Sequence, residues 1–274
     1  MLKTRIITAA ALLVGLLTVV FFASTEIWAL ITLGIALLGV AEWSNLIRLK
    51  QSQKYSLLIA ALVLGLLIAF MHLTPLYYYQ NYVVLAVLAV SSLFWVLIAP
   101  IWLMTRKTFT NGLVMSVLGL FLIFATWIAL VGLHAINPLL LLGAIATVSI
   151  ADSAAYFAGK KFGRHKLAPE ISPGKTWEGV LGALFAVTVY GVLLCYYKQF
   201  SPWLIVCLWL LVVLSVIGDL LESLLKRKAD LKDSGQLLPG HGGILDRIDG
   251  LMPTLPITLI FVSLPLLTGF SQHG

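Results

Sequence analysis

Residues 203–225 read WLIVCLWLLVVLSVIGDLLESLL, an apolar run with two carboxylates near its end. A helix needs about 20 mainly apolar residues to cross the hydrocarbon core of a bilayer. Strands could not satisfy their backbone hydrogen bonds in lipid without closing a barrel. The segment therefore predicts a transmembrane helix. Its carboxylates, Asp219 and Glu222, indicate that this face of the helix is a site rather than a contact with lipid.

The rest of the chain is also strongly apolar. Hydrophobic residues make up 61% of the 274 residues and charged residues 11%, against about 45–50% and about 25% in soluble domains. This composition excludes a soluble globular domain. Segments long and apolar enough to span a membrane are 6–23, 27–47, 56–73, 82–104, 112–133, 138–158, 176–197, 203–225 and 251–270. We predict an all-α integral membrane protein with about nine transmembrane helices, the first being retained rather than cleaved as a signal peptide.

Basic residues predict the orientation of these helices. Seventeen of the 18 Lys and Arg residues fall in alternate connections, and Lys198 is the exception. Because cytoplasmic loops carry the excess of Lys and Arg, we expect the N-terminus in the cytoplasm and the C-terminus outside. Membrane topology thus accounts for the net charge of +7, and no nucleic acid partner is expected. So compact a membrane chain is typical of a bacterial cytoplasmic (inner) membrane.

Acidic residues divide the chain into two parts. Nine of the 11 lie between residues 152 and 249. We therefore predict an N-terminal scaffold of five spans, residues 1–137, and a C-terminal half of four spans, residues 138–274, that carries the chemistry. Two cytoplasmic loops, 159–175 and 226–250, flank the polar helix faces of this second half.

Three polar residues of the scaffold need an explanation. Glu42, near the end of the second span, is expected to be an interfacial carboxylate, with substrate contact as the alternative. His72 and His134 both map to the outer side, where interfacial histidines are the expected interpretation.

Two polar groups precede the eighth span. One face of the sixth span carries Ser149, Asp152, Ser153 and Tyr156 at intervals of three and four residues. Residues 172–176, Ser-Pro-Gly-Lys-Thr, predict the start of a helix, because Ser can cap a helix and Pro is tolerated in its first turn. Lys175 would then lie at a helix N-terminus, where phosphate binds readily.

The third polar group lies between residues 219 and 249. A single helix face would present Asp219, Glu222, Ser223 and Lys226. The glycines around His241 allow a backbone to approach a ligand closely with its N–H groups exposed. Asp246 and Asp249 add hard oxygen ligands of the kind that magnesium prefers. Together these features favour a site for metal-bound polyphosphate.

The same region resembles a known family signature. It reads Ser223-Leu-Leu-Lys226-Arg227, then Lys232-Asp233-Ser-Gly, then Leu238-Pro-Gly-His-Gly-Gly-Ile-Leu-Asp-Arg-Ile-Asp249. This pattern looks like the signature of the phosphatidate cytidylyltransferases, also called CDP-diacylglycerol synthases. Similarity to that family extends upstream to residues 152–156 and 171–179, whereas residues 1–140 match only in hydropathy and length.

The resemblance implies the reaction. In this family the phosphate of phosphatidic acid attacks the α-phosphorus of CTP, which expels pyrophosphate and leaves CDP-diacylglycerol in the membrane. CTP and phosphatidic acid are therefore the expected substrates, with membrane lipids as surroundings and one or two Mg²⁺ ions as cofactor. The active site is expected to face the cytoplasm, and a homo-oligomer is compatible with the sequence.

Residue roles are assigned within that scheme. The catalytic residues are expected to be Asp219, Lys226, His241 and Asp246. The metal ligands are expected to be Asp219 and Asp246, with Asp249 and Asp152 as further ligands or orienting groups. Substrate phosphates are expected to meet Lys175, Ser223, Arg227, Lys232, Gly242, Gly243 and Arg247.

Three of these roles have open alternatives. Lys175 could instead meet a lipid headgroup or pair with Glu178. Asp152 could form a structural ion pair with a lysine. His241 could order its loop through a hydrogen bond rather than contact phosphate or protonate the leaving group.

Two other functions compete with this interpretation. A CTP-dependent lipid kinase of the polyprenol type would use the same half of the membrane domain, but the unbroken signature favours the cytidylyltransferase. A secondary transporter would also carry intramembrane carboxylates. Transporters usually show paired halves, whereas the acidic residues here lie almost entirely in one half.

Overall fold

The computed structural model describes residue 15 and residues 17–70, 80–107, 111–235 and 242–263. Within these ranges, seven helices are long and apolar enough to cross a membrane. The protein is therefore an all-α integral membrane protein, as its hydropathy predicts, and the described residues also form a small β-hairpin between two of the helices.

The N-terminal part consists of helices that follow a helical stretch at residues 17–22. These helices are α1 (Thr25–Leu46), α2 (Gln51–Ala69), α3 (Gln80–Leu93), α4 (Ala99–Thr105) and α5 (Gly112–Ile136). A π-helical turn, Phe94–Ile98, joins α3 to α4, so that the two form a single apolar span. In this part, side chains cap the starts of α1 and α5: the Ser24 hydroxyl accepts from the N–H of Ile27, and the side-chain Oδ1 of Asn111 accepts from the N–H groups of Leu113 and Val114.

The C-terminal part carries the hairpin between its first two helices. Its elements are α6 (Pro138–Phe162), β1 (Lys166–Ala168), β2 (Ser172–Thr176), α7 (Trp177–Lys198), α8 (Trp203–Lys228), α9 (Leu245–Ile248) and α10 (Leu251–Ser263). Helix α8 contacts α4, α6, α7, α9, α10 and β2, and is thus the centre of this part. Helix α10 packs against both α8 and α5, which joins the two parts of the chain.

The predicted spans agree with these helices where the structure describes them. The seven long helices correspond to the predicted spans two to eight, although α2 begins five residues earlier than its predicted span. Most of the first predicted span, 6–23, lies outside the described residues. The ninth, 251–270, begins as α10, and residues 264–270 also lie outside the described part. The count of nine spans and the positions of the termini stay predictions.

The predicted helix start at residues 172–176 is wrong. These residues form β2, which pairs antiparallel with β1. The chain is extended at Ser172 because a residue before proline is disfavoured in the helical region. Helix α7 begins only at Trp177, where the Thr176 hydroxyl caps it by accepting from the N–H of Gly179 at 3.1 Å.

Helices α6 and α7 are in close contact through small residues. A Cβ at Gly182 would collide with the methyl group of Ala158, and a Cβ at Gly179 would lie 2.9 Å from the carbonyl oxygen of Ala155. The two glycines therefore let the helix backbones approach, as in small-residue contacts between membrane helices. This contact fixes the hairpin that connects the two helices.

The histidine predictions have different outcomes. His134 is buried, with Nε2 2.9 Å from the carbonyl oxygen of Val20 and its ring stacked on Trp28. The interfacial interpretation of His134 is therefore wrong, because the imidazole is shielded by α1 and hydrogen-bonded inside the protein. His72 lies outside the described residues.

Candidate functional site

The first cluster of the site forms where the hairpin meets α8. Strand β2 brings Lys175 to Asp219, and the ammonium Nζ lies 2.5 Å from the carboxylate Oδ2. Ser223, one helical turn beyond Asp219, donates to the other carboxylate oxygen at 3.3 Å. Arg227, one turn further, donates to the carbonyl oxygen of Ile171 on the hairpin at 3.5 Å. The proposed alternative of a Lys175–Glu178 pair is wrong, since Lys175 pairs with Asp219.

Glu178 has a partner on the other side of the hairpin. The ring Nδ1 of His165 lies 2.6 Å from the Glu178 carboxylate, and the backbone N–H of His165 donates to the same group. His165, which directly precedes β1, is thus hydrogen-bonded to the first turn of α7. This pair orders the hairpin and leaves Lys175 directed at α8.

Asp249 and Asp152 complete the first cluster. Gly218 allows the backbone of Asp249 to approach α8, because a Cβ at Gly218 would collide with the Asp249 carbonyl oxygen. Asp249 lies in the electric field of Asp219, Lys175 and Asp152. Burial and the Asp219 carboxylate raise the pKa of Asp249 to about 7. The carboxylates of Asp152, Asp219 and Asp249 therefore interact electrostatically with one another, and the Lys175 ammonium offsets part of their charge.

The second cluster lies around Lys226 on the same helix. The Lys226 ammonium is 2.9 Å from Glu222 and 2.6 Å from Oδ1 of Asp246. Oδ2 of Asp246 accepts from the backbone N–H groups of Gly243 at 2.7 Å and of Ser234 at 3.0 Å. Burial alone would raise the pKa of Asp246, but Lys226 and these N–H groups lower it to about 2. Asp246 is therefore an anion held by the protein's own donors.

Glu42 of α1 reaches this second cluster from the other part of the chain. Its carboxylate accepts from the N–H of Ile244 at 2.9 Å, the N–H of Leu245 at 2.8 Å and the Ser234 hydroxyl at 2.9 Å. Glu42 is only 3% exposed. The expectation of an interfacial carboxylate is therefore wrong, because the polar partners of Glu42 lie inside the protein.

Gly242 and Gly243, the described glycines of the signature turn, lie against the carboxylates of Asp246 and Glu42. Gly242 adopts a φ of +80°, which is favourable only for glycine. The N–H of Gly243 is directed at Asp246, so it serves the second cluster. Lys232 and Arg247, both predicted to bind phosphate, are exposed beside these residues. His241 lies outside the described residues, and its catalytic role stays a prediction.

The structure separates the predicted metal ligands into two clusters. Asp152, Asp219 and Asp249 belong to the first, and Asp246 to the second. Within the described ranges, no three His, Cys, Asp or Glu side chains are close enough to hold one metal ion by themselves. The metal roles of these four residues are therefore still predictions.

Sequence reasoning missed three residues of the second cluster. Glu222 was placed on the correct helix face but given no role, and its Oε1 is buried without a hydrogen-bond partner among the described residues. Ser234 has no predicted role, and Glu42 is connected with the site only through the alternative of substrate contact. Glu42 could have been found, because it is a carboxylate in an apolar span with no basic residue within one helical turn.

Comparison with known proteins gives one family. A model of the cytidylyltransferase family matches residues 3–265. The phosphatidate cytidylyltransferase of Haemophilus influenzae is 33% identical to this chain, over 95% of the chain and 98% of the relative. That of Pseudomonas aeruginosa is 37% identical, over 94% and 95%. A Staphylococcus aureus protein of the same name is 43% identical over 48% of the chain and 50% of its own length. The chain therefore belongs to the cytidylyltransferase family.

Proposed function

We infer that this protein transfers CMP from CTP to phosphatidic acid, giving CDP-diacylglycerol and pyrophosphate. The observation that carries this function is similarity to phosphatidate cytidylyltransferases over at least 94% of the chain. A phosphate oxygen of phosphatidic acid forms a bond to the α-phosphorus of CTP, and the bond to the bridging oxygen of pyrophosphate breaks. Phosphate is already a nucleophile, so positioning and charge neutralisation should supply most of the rate.

Basic residues of the two clusters can have different roles in positioning and charge neutralisation. Lys175 and Arg227 lie on or beside the hairpin, and with the exposed Lys232 and Arg247 they can neutralise the two anionic substrates, which would otherwise repel each other. Lys226 is held between two carboxylates. It is therefore less free than Lys175 to bind phosphate, and we assign it chiefly to fixing Asp246.

The residues of the first cluster fit Mg²⁺. Asp152, Asp219 and Asp249 carry more negative charge than Lys175 offsets, and carboxylate oxygens are the ligands that Mg²⁺ prefers. Mg²⁺ usually takes only one or two carboxylates, with water and substrate phosphates in its other positions. We propose that Asp219 and Asp249 would hold the ion and that Asp152 would help to orient the groups that bind it. When bound, the ion would neutralise charge on the departing pyrophosphate.

Asp246 is less suited than Asp219 and Asp249 to bind Mg²⁺. Both of its oxygens already accept hydrogen bonds from the protein. We propose that it contributes mainly by fixing the segment that carries Arg247. Both clusters lie where α8 runs into the basic loop after it, so the positive-inside distribution favours a site that faces the cytoplasm of a bacterial inner membrane.

This function is tested by measuring which phosphorus atom of CTP is transferred to the lipid. Purified protein in detergent is incubated with phosphatidic acid, MgCl₂ and CTP labelled at either the α- or the γ-phosphorus. A cytidylyltransferase puts the α label into lipid and releases the γ label as pyrophosphate. A CTP-dependent lipid kinase, tested in parallel with a polyprenol, would put the γ label into lipid. Absence of α-labelled lipid from active, folded protein would contradict the proposal.

A further inference from the structure

We propose that Glu42 is a positioning residue of the active site, by which the N-terminal part of the chain holds the segment that carries Asp246 and Arg247. The proposal rests on the proposed function for its kinetic test. It gives a role in the reaction to helix α1, which hydropathy alone identifies only as a transmembrane scaffold.

Among the described residues, the side-chain hydrogen bonds of Glu42 go to a segment whose described parts are residues 234–235 and 242–248. Oε1 accepts from Ile244, and Oε2 accepts from Leu245 and from Ser234. Ser234 and Leu245 are 192 and 203 residues away from Glu42 in the sequence. Both carboxylate oxygens are thus used as acceptors by backbone and hydroxyl donors of the C-terminal part. A neutral side chain with one acceptor could not replace this pattern.

Packing of α1 does not explain a carboxylate at this position. Burying a charge is costly unless the charge is paired or well hydrogen-bonded. Among the residues that the structure describes, no Lys, Arg or His forms an ion pair with Glu42. The three donors of the C-terminal segment therefore stabilise the buried Glu42 carboxylate. The segment in turn depends on Glu42 as the acceptor of these hydrogen bonds.

Two glycines of the segment reserve the space for this carboxylate. A Cβ at Gly235 would collide with Glu42, and Glu42 supplies all three of the nearest atoms there. A Cβ at Gly243 would collide with Glu42 and with the Ser234 hydroxyl. The Glu42 side chain could move aside only by giving up its hydrogen bonds. The geometry of these glycines is thus an independent observation that the segment is built around Glu42.

Glu42 is connected to the charged groups of the site through Ser234. The Ser234 hydroxyl lies within hydrogen-bonding distance of both Glu42 and Asp246, at 2.9 and 3.0 Å. Asp246 contacts Lys226, which completes a continuous network from α1 to α8. Loss of the Glu42 charge should loosen Ile244 and Leu245 and thereby displace Asp246 and Arg247.

The first test compares Glu42→Gln with Ser44→Ala. Ser44 is equally buried in α1, but among the described residues its hydroxyl donates only to Ala41 of the same helix. Glu42→Gln is expected to lower kcat about ten-fold or more, with Glu42→Asp recovering part of the loss. It should also increase hydrogen exchange in peptides covering residues 242–248. Ser44→Ala should leave kcat and this exchange unchanged. A Glu42→Gln variant with wild-type kcat per folded molecule and wild-type exchange would overturn the proposal.

The second test is a double-mutant cycle with Gly235. Gly235→Ala is expected to lower kcat/KM about ten-fold in the wild-type background, because its methyl group collides with Glu42. In a Glu42→Ala background the three atoms nearest to the new methyl group are removed, and the same substitution should cost less than about two-fold. An equal cost in both backgrounds would overturn the proposal. If the wild-type protein made no CDP-diacylglycerol, the proposed function would fail, whereas the exchange measurement would still test Glu42 by itself.

Discussion

At the scale of single residues, the partners of each carboxylate in the site determine what its substitution tests. Asp219 is 35% exposed in its side chain and faces Lys175, which is 23% exposed. Asp246 is 10% exposed and faces Lys226, which is 14% exposed. The first pair is open enough to exchange partners with substrate, whereas the second pair is held inside the protein.

Asp219→Asn is expected to lower turnover by about 100-fold or more and to raise the Mg²⁺ concentration required for activity. The amide keeps the shape of the side chain but loses the charge that balances metal and polyphosphate. Product formation across a Mg²⁺ titration measures the effect, with the melting temperature measured on the same sample. Asp230→Asn is the matched control, because Asp230 forms an exposed pair with Arg48 outside both clusters. Near-normal turnover of folded Asp219→Asn with unchanged Mg²⁺ dependence would exclude the metal role.

Lys226→Ala and Lys175→Ala should differ in stability. Removal of Lys226 leaves Glu222 and Asp246 as buried carboxylates without their cation, which typically costs about 3–5 kcal/mol. Removal of Lys175 leaves a partly exposed Asp219, so stability should change little while activity falls about ten- to hundred-fold. Thermal unfolding in detergent and initial rates distinguish the two variants. Equal losses of stability would mean that Lys175 has the same structural role as Lys226.

At the scale of elements, the sequence predicts helices well and their contacts poorly. The apolar run of 203–225 places α8 correctly because length and hydropathy are local properties. The hairpin at 166–176 was not predicted, since residues 172–176 also satisfy the rules for a helix start. The pairing of β2 with β1, which depends on both strands together, decides between the two conformations.

Gly182→Ala should disturb the contact between α6 and α7. Its new methyl group would collide with that of Ala158, which is attached directly to the backbone, so the helices must separate. Overpacking of this kind typically costs about 1–3 kcal/mol. The melting temperature is expected to fall, and Ala158→Gly in the same chain should restore it. Gly34→Ala is the control, because a Cβ at Gly34 meets nothing within 4 Å. Equal effects of Gly182→Ala and Gly34→Ala would refute close packing at Gly182.

At the scale of the whole molecule, the site depends on residues that are far apart in sequence. The helix face of Asp219, Glu222, Ser223 and Lys226 was predictable from a spacing of three and four residues. The hydrogen bond between Ser234 and Glu42 joins residues 192 positions apart, and no local periodicity encodes it. Ion pairs also connect the two parts of the chain at Arg48–Asp230 and Arg106–Glu170. The signature therefore points to the candidate site, but only the fold shows that Glu42 of α1 contacts it.

The membrane orientation gives the last prediction. Single cysteines are introduced as Asp233→Cys and Ser201→Cys in a chain that lacks Cys195 and Cys207. Asp233 follows the basic end of α8, and Ser201 lies in the short connection between α7 and α8. Because α8 is long enough to span the bilayer, the two cysteines should lie on opposite sides. The positive-inside rule places Asp233 in the cytoplasm, so a membrane-impermeant thiol reagent added to intact cells should label only Ser201→Cys. Labelling of Asp233→Cys alone would show the opposite orientation, and labelling of both positions would show that α8 does not span the membrane. Either result would mean that the site does not face cytoplasmic CTP.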